Sequence, residues 1–459
     1  METNQALIDF FRCPEDSLNL GLIQPGLGAP GFFKFGPEAI GYGQVGVAFA
    51  SDDVRRELHD ASSDVRMEGG ACLISFDPGS VVENLRRERY VADGPSEGGG
   101  LTHSGVVRKA YYAVRPILPV SIRKHLQRIS LRGWDQKPFP RWPVDRSVDQ
   151  IFKRLMLFAL RARGLERIPF IWFWPEGKSA CAVMTHDVET KTGLDFCSAL
   201  MDLNDSYGIK SSFQIIPEGR YHTPQQVRDE IERRGFEVDV HDWNHDGHLY
   251  SDRETFLSRA AKINRIASDW GAQGFRSGVL YRNTDWYDEF TFSYDMSVPN
   301  VGHLDPQPGG CCTTFPYFIG KILEIPLTTT QDYPLFHVLR DYSIDLWKKQ
   351  IGLILQGHGL ISTVVHPDYI IEKRARATYS ELLAYLAVLD SAHDVWHALP
   401  RDVNRWWRDR AQMSLVRKNG RWEIEGPGSE RARVAYACLE GESLAYALSD
   451  STHEVGIQA

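Results

Sequence analysis

Two carboxylates stand two residues apart in Thr185-His186-Asp187-Val188-Glu189, and two imidazoles stand four apart in His241-Asp242-Trp243-Asn244-His245. Further along lie Arg276, in Phe275-Arg276-Ser277-Gly278, and His366, in Val364-Val365-His366-Pro367. Two neutral imidazoles and one carboxylate are the ligand set of a catalytic Zn2+ site, which keeps one coordination position open. If residues 241–245 form one helical turn, both rings share a face. If the strand before them stays extended through Glu189, period-2 alternation puts both carboxylates on one side. One carboxylate then ligates while the other takes a proton. The residue types leave open which of Asp187 and Glu189 does which. His248, Asp242 and Asp246 lie in the same loop as the histidines and compete with them as ligands.

Each residue taken alone has a plainer explanation. A strand-end Asp caps a helix about as often as it catalyses. A lone histidine, such as His303 or His358, is ordinarily a satisfied structural residue, and the same reading applies to His366 by itself. HxxxH also arises by chance on solvated helices. What favours chemistry is the joint occurrence of these groups, in order, at the ends of β-prone runs.

Those runs alternate with helical stretches across residues 168–400. Residues 180–188 (ACAVMTHDV) precede a helical pattern over 193–208, residues 211–217 one over 224–235, and residues 236–241 one over 252–270. Apolar runs at 273–278, 292–298, 321–327, 360–367 and 394–400 follow, with helices over 342–356 and near 377–390. Strands separated by helices of about 10–18 residues predict a parallel sheet with crossover helices. About seven or eight such units fit a closed barrel better than an open sheet, and barrel active sites gather at the carboxyl ends of the strands.

Residues 1–150 show no predictable fold. Their Gly26–Gly31 segment matches GxGxxG, but Pro30 sits inside it and Phe32-Phe33-Lys34 cannot open a helix, so no dinucleotide loop is expected. Residues 108–146 carry ten Lys or Arg against only Asp135 and Asp145. Ile122, Leu126 and Ile129 fall on one helical face there, with Trp134, Phe139 and Trp142 behind. Either this stretch docks peripherally on an anionic membrane, or it packs as an amphipathic helix on the barrel. Residues 401–459 read as a helix followed by a small antiparallel β appendage, with an Asn419-Gly420 turn and two strands around Gly441.

With 459 residues, 42% of them hydrophobic, and a net charge of −8, the chain reads as globular, with no general affinity for nucleic acid. It begins without a secretory signal and has no apolar run near the ~20 residues of a membrane span. Seven cysteines, odd in number and without CxxC spacing, suggest free thiols in a reducing compartment, so a cytoplasmic protein is expected.

The central region resembles the polysaccharide deacetylases of the NodB-homology type (carbohydrate esterase family four). Their first motif, TFDDG or THDVD, is similar to Thr185–Glu189, and their H-[ST]-x-x-H to His241–His245. Their RxP is similar to Arg276-Ser277-Gly278, the motif-four Asp is matched by Asp332 in residues 328–336, and the last motif's histidine by His366. The chain departs from the pattern with Glu at 189 for Asp, Asp at 242 for Ser or Thr, and Gly at 278 for Pro. The resemblance covers about half the chain. It implies a distorted β/α barrel over 168–400 and a divalent metal, Zn2+ by default with Co2+, Ni2+ or Mn2+ as alternatives, held by Glu189, His241 and His245. It further implies Asp187 as general base ion-paired to Arg276, and His366 as general acid oriented by Asp332. The activity implied is hydrolysis of the amide of an N-acetylated sugar, free or lipid-linked. The competing readings are a catalytically inactive glycan-binding relative and an amidase for a non-sugar amide.

Overall fold

The structure is a computed structural model that describes residues 2–23, 29–46, 50–91, 131 and 133–449. Its centre is a nine-stranded sheet built from β1 (Ala180–Val188), β2 (Ser212–Ile215), β3 (Glu237–His241), β4 (Gly274–Arg276), β5 (Tyr294–Asp295), β6 (Tyr317–Ile319), β7 (Ile322–Glu324), β8 (Leu360–Val364) and β9 (Val395–His397). The order is β6-β7-β5-β4-β3-β2-β1-β8, and every pairing is parallel except β6 with β7. β1 shares one edge between β9, along 180–182, and β2, along 185–188. Helices Lys191–Ser206, Gln225–Arg233, Arg253–Trp270, Asp345–Leu355 and Lys373–His393 make crossovers, as the alternating pattern requires.

The sheet closes into a distorted β/α barrel through an irregular run rather than a regular ladder. Leu327 bridges to Pro299 on one side. On the other, the Thr329 amide donates to the Ser362 carbonyl at 3.2 Å, and the Thr328 hydroxyl to the Leu360 carbonyl at 2.7 Å. This run delivers Asp332 to the carboxyl end of β8.

Alternation along the strands divides apolar from polar. In β3, Val238 and Val240 join hydrophobic clusters outside the barrel, whereas Glu237, Asp239 and His241 face the other way. The inward groups satisfy one another: Asp239 accepts from the Ser212 and Tyr294 hydroxyls and from the Gly274 amide, each at 2.8 Å. Gly274 is required there, since a Cβ would lie 2.2 Å from the Tyr294 ring.

One hydrophobic cluster unites the flanking parts with the barrel. It joins Phe11 and Phe33 near the amino terminus, Phe152 and Leu155 of helix Ser147–Arg163, Cys181 and Val183 of β1, and Ala435 and Leu444 near the carboxyl terminus. Strand Arg167–Ile171 pairs with Val434–Glu440, so residues 167–171 belong to that carboxyl-terminal sheet and not to the barrel. Buried Arg410 ties the parts together by donating to the carbonyls of Ile171 (2.6 Å), Trp172 (3.0 Å) and Phe11 (3.3 Å). All seven cysteines are free. Among the described residues no helix is long and apolar enough to cross a membrane. Most of the basic stretch, with Ile122, Arg123, Lys124, Leu126, Arg128 and Ile129, lies outside the described residues, as do Gly26 and Gly28 of the GxGxxG segment.

Candidate metal centre and acid–base site

Asp187 is the next-to-last residue of β1, and Glu189 is the first residue beyond that strand's end at Val188. The Glu189 amide donates to Asp368 at 3.1 Å, and Thr190 hydrogen-bonds to the same carboxylate. His241 closes β3. After it the chain does not make a helical turn: Asp242 and His245 take left-handed conformations, φ +57° and +54°, and residues 243–247 form successive bends. The two rings meet regardless, with centroids 4.8 Å apart.

Three donor groups converge here, since one ligand atom each from Glu189, His241 and His245 lies within 4.8 Å of the others. His241 Nδ1 donates to the Arg276 carbonyl at 3.0 Å, which fixes the tautomer and leaves Nε2 as a lone pair. That Nε2 is buried without a hydrogen-bond partner, and so are both ring nitrogens of His245. His245 Nε2 lies 3.0 Å from Glu189 Oε1 but outside hydrogen-bonding geometry. Orphaned buried nitrogens of this kind cost stability unless something binds them. Imidazole and carboxylate donors at this spacing fit a divalent cation. Of the competing ligands, Asp246 is held by Arg259 at 2.6 Å and 2.8 Å, and His248 lies beside Asp246 at 3.5 Å, half exposed.

Beside the trio, Arg276 Nη1 donates to Asp187 Oδ1 at 2.7 Å and to the Thr185 hydroxyl at 2.8 Å, while its Nε donates to the Met296 carbonyl. Arg276 is fully buried and Asp187 almost so. Burial alone would raise the Asp187 carboxyl, but Arg276, then His241 and His366, outweigh it and hold the group below its ordinary range. Glu189 is likewise pushed up by burial and, more strongly, down by His245, His366 and His241, ending well below the carboxylate range. Burial drives His241 down to about 4, so it is a neutral imidazole at neutral pH.

His366 follows β8 with its ring Nε2 3.9 Å from Asp187 Oδ2 and 3.8 Å from Glu189 Oε1. Its Nδ1 donates to Asp332 Oδ1 at 2.6 Å. Burial would lower this imidazole, but Asp332 first, then Glu189 and Asp187, raise it to about 10. The structure thus brings together all seven residues singled out above: Asp187, Glu189, His241, His245, Arg276, Asp332 and His366. His303 and His358 lie elsewhere, the first stacked on Trp142 and the second bonded to the Ser179 carbonyl.

Three contributors were not anticipated. Arg220, in the loop after β2, donates to the carbonyls of Glu189 (3.4 Å) and His245 (2.9 Å), clamping two ligand-bearing segments. Thr185 and Asp368 hold Arg276 and the Glu189 backbone. Asp368 could have been noticed as a carboxylate two residues after His366, whereas Arg220 carries no local signal.

No protein-family model matches the chain, and no curated protein is similar to it in sequence. Among solved structures it is similar to the Puue allantoinase (15% identity, 51% of this chain and 92% of that one, TM-score 0.41). A probable polysaccharide deacetylase of Pseudomonas aeruginosa PAO1 shows 15% identity over 51% of this chain and 93% of its own, with a TM-score of 0.40. The peptidoglycan deacetylase PdaC of Bacillus subtilis shows 11% identity over 51% and 95%, with a TM-score of 0.33.

Proposed function

We propose that this chain is a metal-dependent hydrolase that removes acetyl groups from the nitrogen of an N-acetylated sugar, free or lipid-linked. The observation that carries the reading is that an ionised carboxylate, three converging ligand groups and a protonated imidazole border one site, with His366 Nε2 within 3.9 Å of Asp187 Oδ2. The motif resemblance of residues 185–189 and 241–245 supports a sugar amide as the substrate class.

Glu189, His241 and His245 would hold the cation, Zn2+ by default and Co2+, Ni2+ or Mn2+ as alternatives. When bound, it supplies Lewis-acid polarisation of the amide carbonyl and the attacking water. Asp187 takes the water's proton at Oδ2, the oxygen that Arg276 leaves free. Arg276 keeps that carboxylate ionised until the proton arrives. His366 then gives its Nε2 proton to the departing amine, without which the tetrahedral adduct returns to amide. Asp332 holds the ring on Nδ1, so the proton available for transfer is the one facing the site.

The test is incubation of the protein, reconstituted with Zn2+, with N-acetylated oligosaccharides, followed by mass spectrometry and an acetate assay. Free acetate with a matching free amine on the sugar is expected. Hydrolysis confined to non-sugar amides, or saturable glycan binding without acetate release, would overturn the assignment.

A further inference from the structure

We infer that Asp368 is a positioning residue that fixes the Glu189 main chain to the segment carrying His366, so that the metal carboxylate and the general acid share one mount. This rests on the metal-site reading above and deepens it.

β1 runs past its partners. Its ladder with β8 stops at Thr185–Val364, and its ladder with β2 at Val188–Ile215. Beyond those points side chains take the place of strand neighbours. The Val188 carbonyl accepts from the Tyr221 hydroxyl, the Glu189 amide donates to Asp368 Oδ2 at 3.1 Å, and the Glu189 carbonyl accepts from Arg220 Nη1 at 3.4 Å. Arg220 and Tyr221 come from the loop after β2, and Asp368 from the short helix Pro367–Ile370 after β8, so the hold comes from both strands that flank β1.

Asp368 is the member of this set that reaches the acid. It stands two residues after His366, whose Nε2 is 3.8 Å from Glu189 Oε1. Its other oxygen, Oδ1, accepts from the Thr190 hydroxyl, and Thr190 in turn caps helix Lys191–Ser206 by accepting the Gly193 amide at 3.2 Å. The two oxygens of one carboxylate therefore hold consecutive residues, 189 and 190, against the His366 segment. A glutamate ligand has several rotatable bonds, whose ordering costs conformational entropy, so its carboxylate is placed only as well as its main chain.

The same carboxylate explains Gly193. That residue occupies the third position of helix Lys191–Ser206, where glycine is a poor helix former, and no left-handed φ calls for it. A Cβ there would lie 2.5 Å from Asp368 Oδ2 and 2.7 Å from its Cγ and Oδ1. The glycine leaves the space that Asp368 fills.

The experiment is chelator competition for Zn2+ on the full chain, with hydrogen exchange of the Glu189 amide in the metal-free protein. Wild type is compared with Asp368→Ala, Gly193→Ala, their double variant and Asp368→Asn. Asp368→Ala and Gly193→Ala should each weaken Zn2+ binding about 10–100-fold and open the Glu189 amide to exchange. The double variant should lose no more than the worse single one, because a Cβ at 193 has nothing to displace once the carboxylate is gone. Asp368→Asn should keep wild-type affinity and protection, since its amide oxygen still accepts from Glu189 while its N–H meets the Thr190 oxygen. A contact that serves folding alone predicts lower apo melting in Asp368→Ala with Zn2+ affinity unmoved. That result, with wild type binding Zn2+, overturns this inference and spares the metal-site reading. A Glu189 amide that exchanges as fast in wild type as in Asp368→Ala overturns it without reference to metal. Wild type that takes up no Zn2+ overturns the metal-site reading and this inference with it.

Discussion

Asp332 holds His366 at two points, accepting its backbone N–H on Oδ2 at 2.8 Å and its ring Nδ1–H on Oδ1 at 2.6 Å. The ring can therefore neither slide nor rotate, and Nε2 is left facing Asp187 and Glu189. A histidine fixed in this way is arranged to give a proton from one nitrogen only.

Removing that proton source should discriminate between leaving groups. His366→Ala is expected to lower turnover of an N-acetyl amide by roughly 10²–10⁴-fold, the usual worth of a general acid. An activated aryl acetate, whose phenolate departs without a proton, should lose far less. Equal losses on both substrates would remove His366 from the acid role.

Asp332 sets the pH range over which the acid is loaded. Burial lowers the His366 pKa and Asp332 is the first of the groups that raise it, to about 10. Activity should therefore persist into alkaline conditions and fall as pH rises through that region. Asp332→Asn removes the charge while keeping an acceptor, so the alkaline limb of kcat should move to lower pH. A limb that stays in place would show that another group controls it.

The two carboxylates should separate by metal content. Glu189→Gln, His241→Ala and His245→Ala are expected to lose bound Zn2+, because each removes one of three converging donors. Asp187→Asn should retain Zn2+ and lose nearly all turnover. Metal that survives Glu189→Gln but disappears in Asp187→Asn would exchange the two roles.

The sequence showed some of this site and concealed the rest for physical reasons. Asp187, His241 and Arg276 were legible because each lies within a residue of a strand's end, where an apolar run stops and ionisable residues begin. Asp332 was reached only through the family resemblance, since it follows the irregular 327–330 run that closes the barrel without a ladder. The bend after His241 could not be told from a helical turn, because left-handed φ at Asp242 and His245 leaves no compositional mark. Arg220 acts through carbonyls remote in sequence. The amino-terminal fold stayed opaque because its strands are only three or four residues long and one of their pairings, Leu20–Leu22 with Ala71–Ile74, is remote. Arg167–Ile171 finds its partner near the carboxyl terminus, which no local pattern foretells.

His186, between the motif's threonine and its aspartate, should make the fold acid-sensitive. It is fully buried. Its Nδ1 donates to the Val365 carbonyl at 2.8 Å, and its Nε2 lies 3.0 Å from the Asn204 side-chain nitrogen. The Asn204 amide is oriented by the Tyr379 hydroxyl, which donates to its oxygen at 2.6 Å, so the Asn204 N–H must point at His186. The neutral tautomer is thus satisfied at both nitrogens, and a proton on Nε2 would oppose that N–H. Burial, the main cause, pushes the pKa down to about 4. The unfolded chain has an ordinary histidine near 6.5, so between those values it binds the proton that the folded chain refuses. Stability from this residue is complete above pH 6.5 and falls as pH drops toward 4, with a loss of about 2 kcal/mol by pH 5. Denaturant unfolding of wild type and His186→Gln at pH 7 and pH 5 isolates the effect, because other titrating groups are common to both. The stability gap between them should shrink by about that amount at pH 5. A gap independent of pH would show that His186 takes up its proton without leaving the native structure.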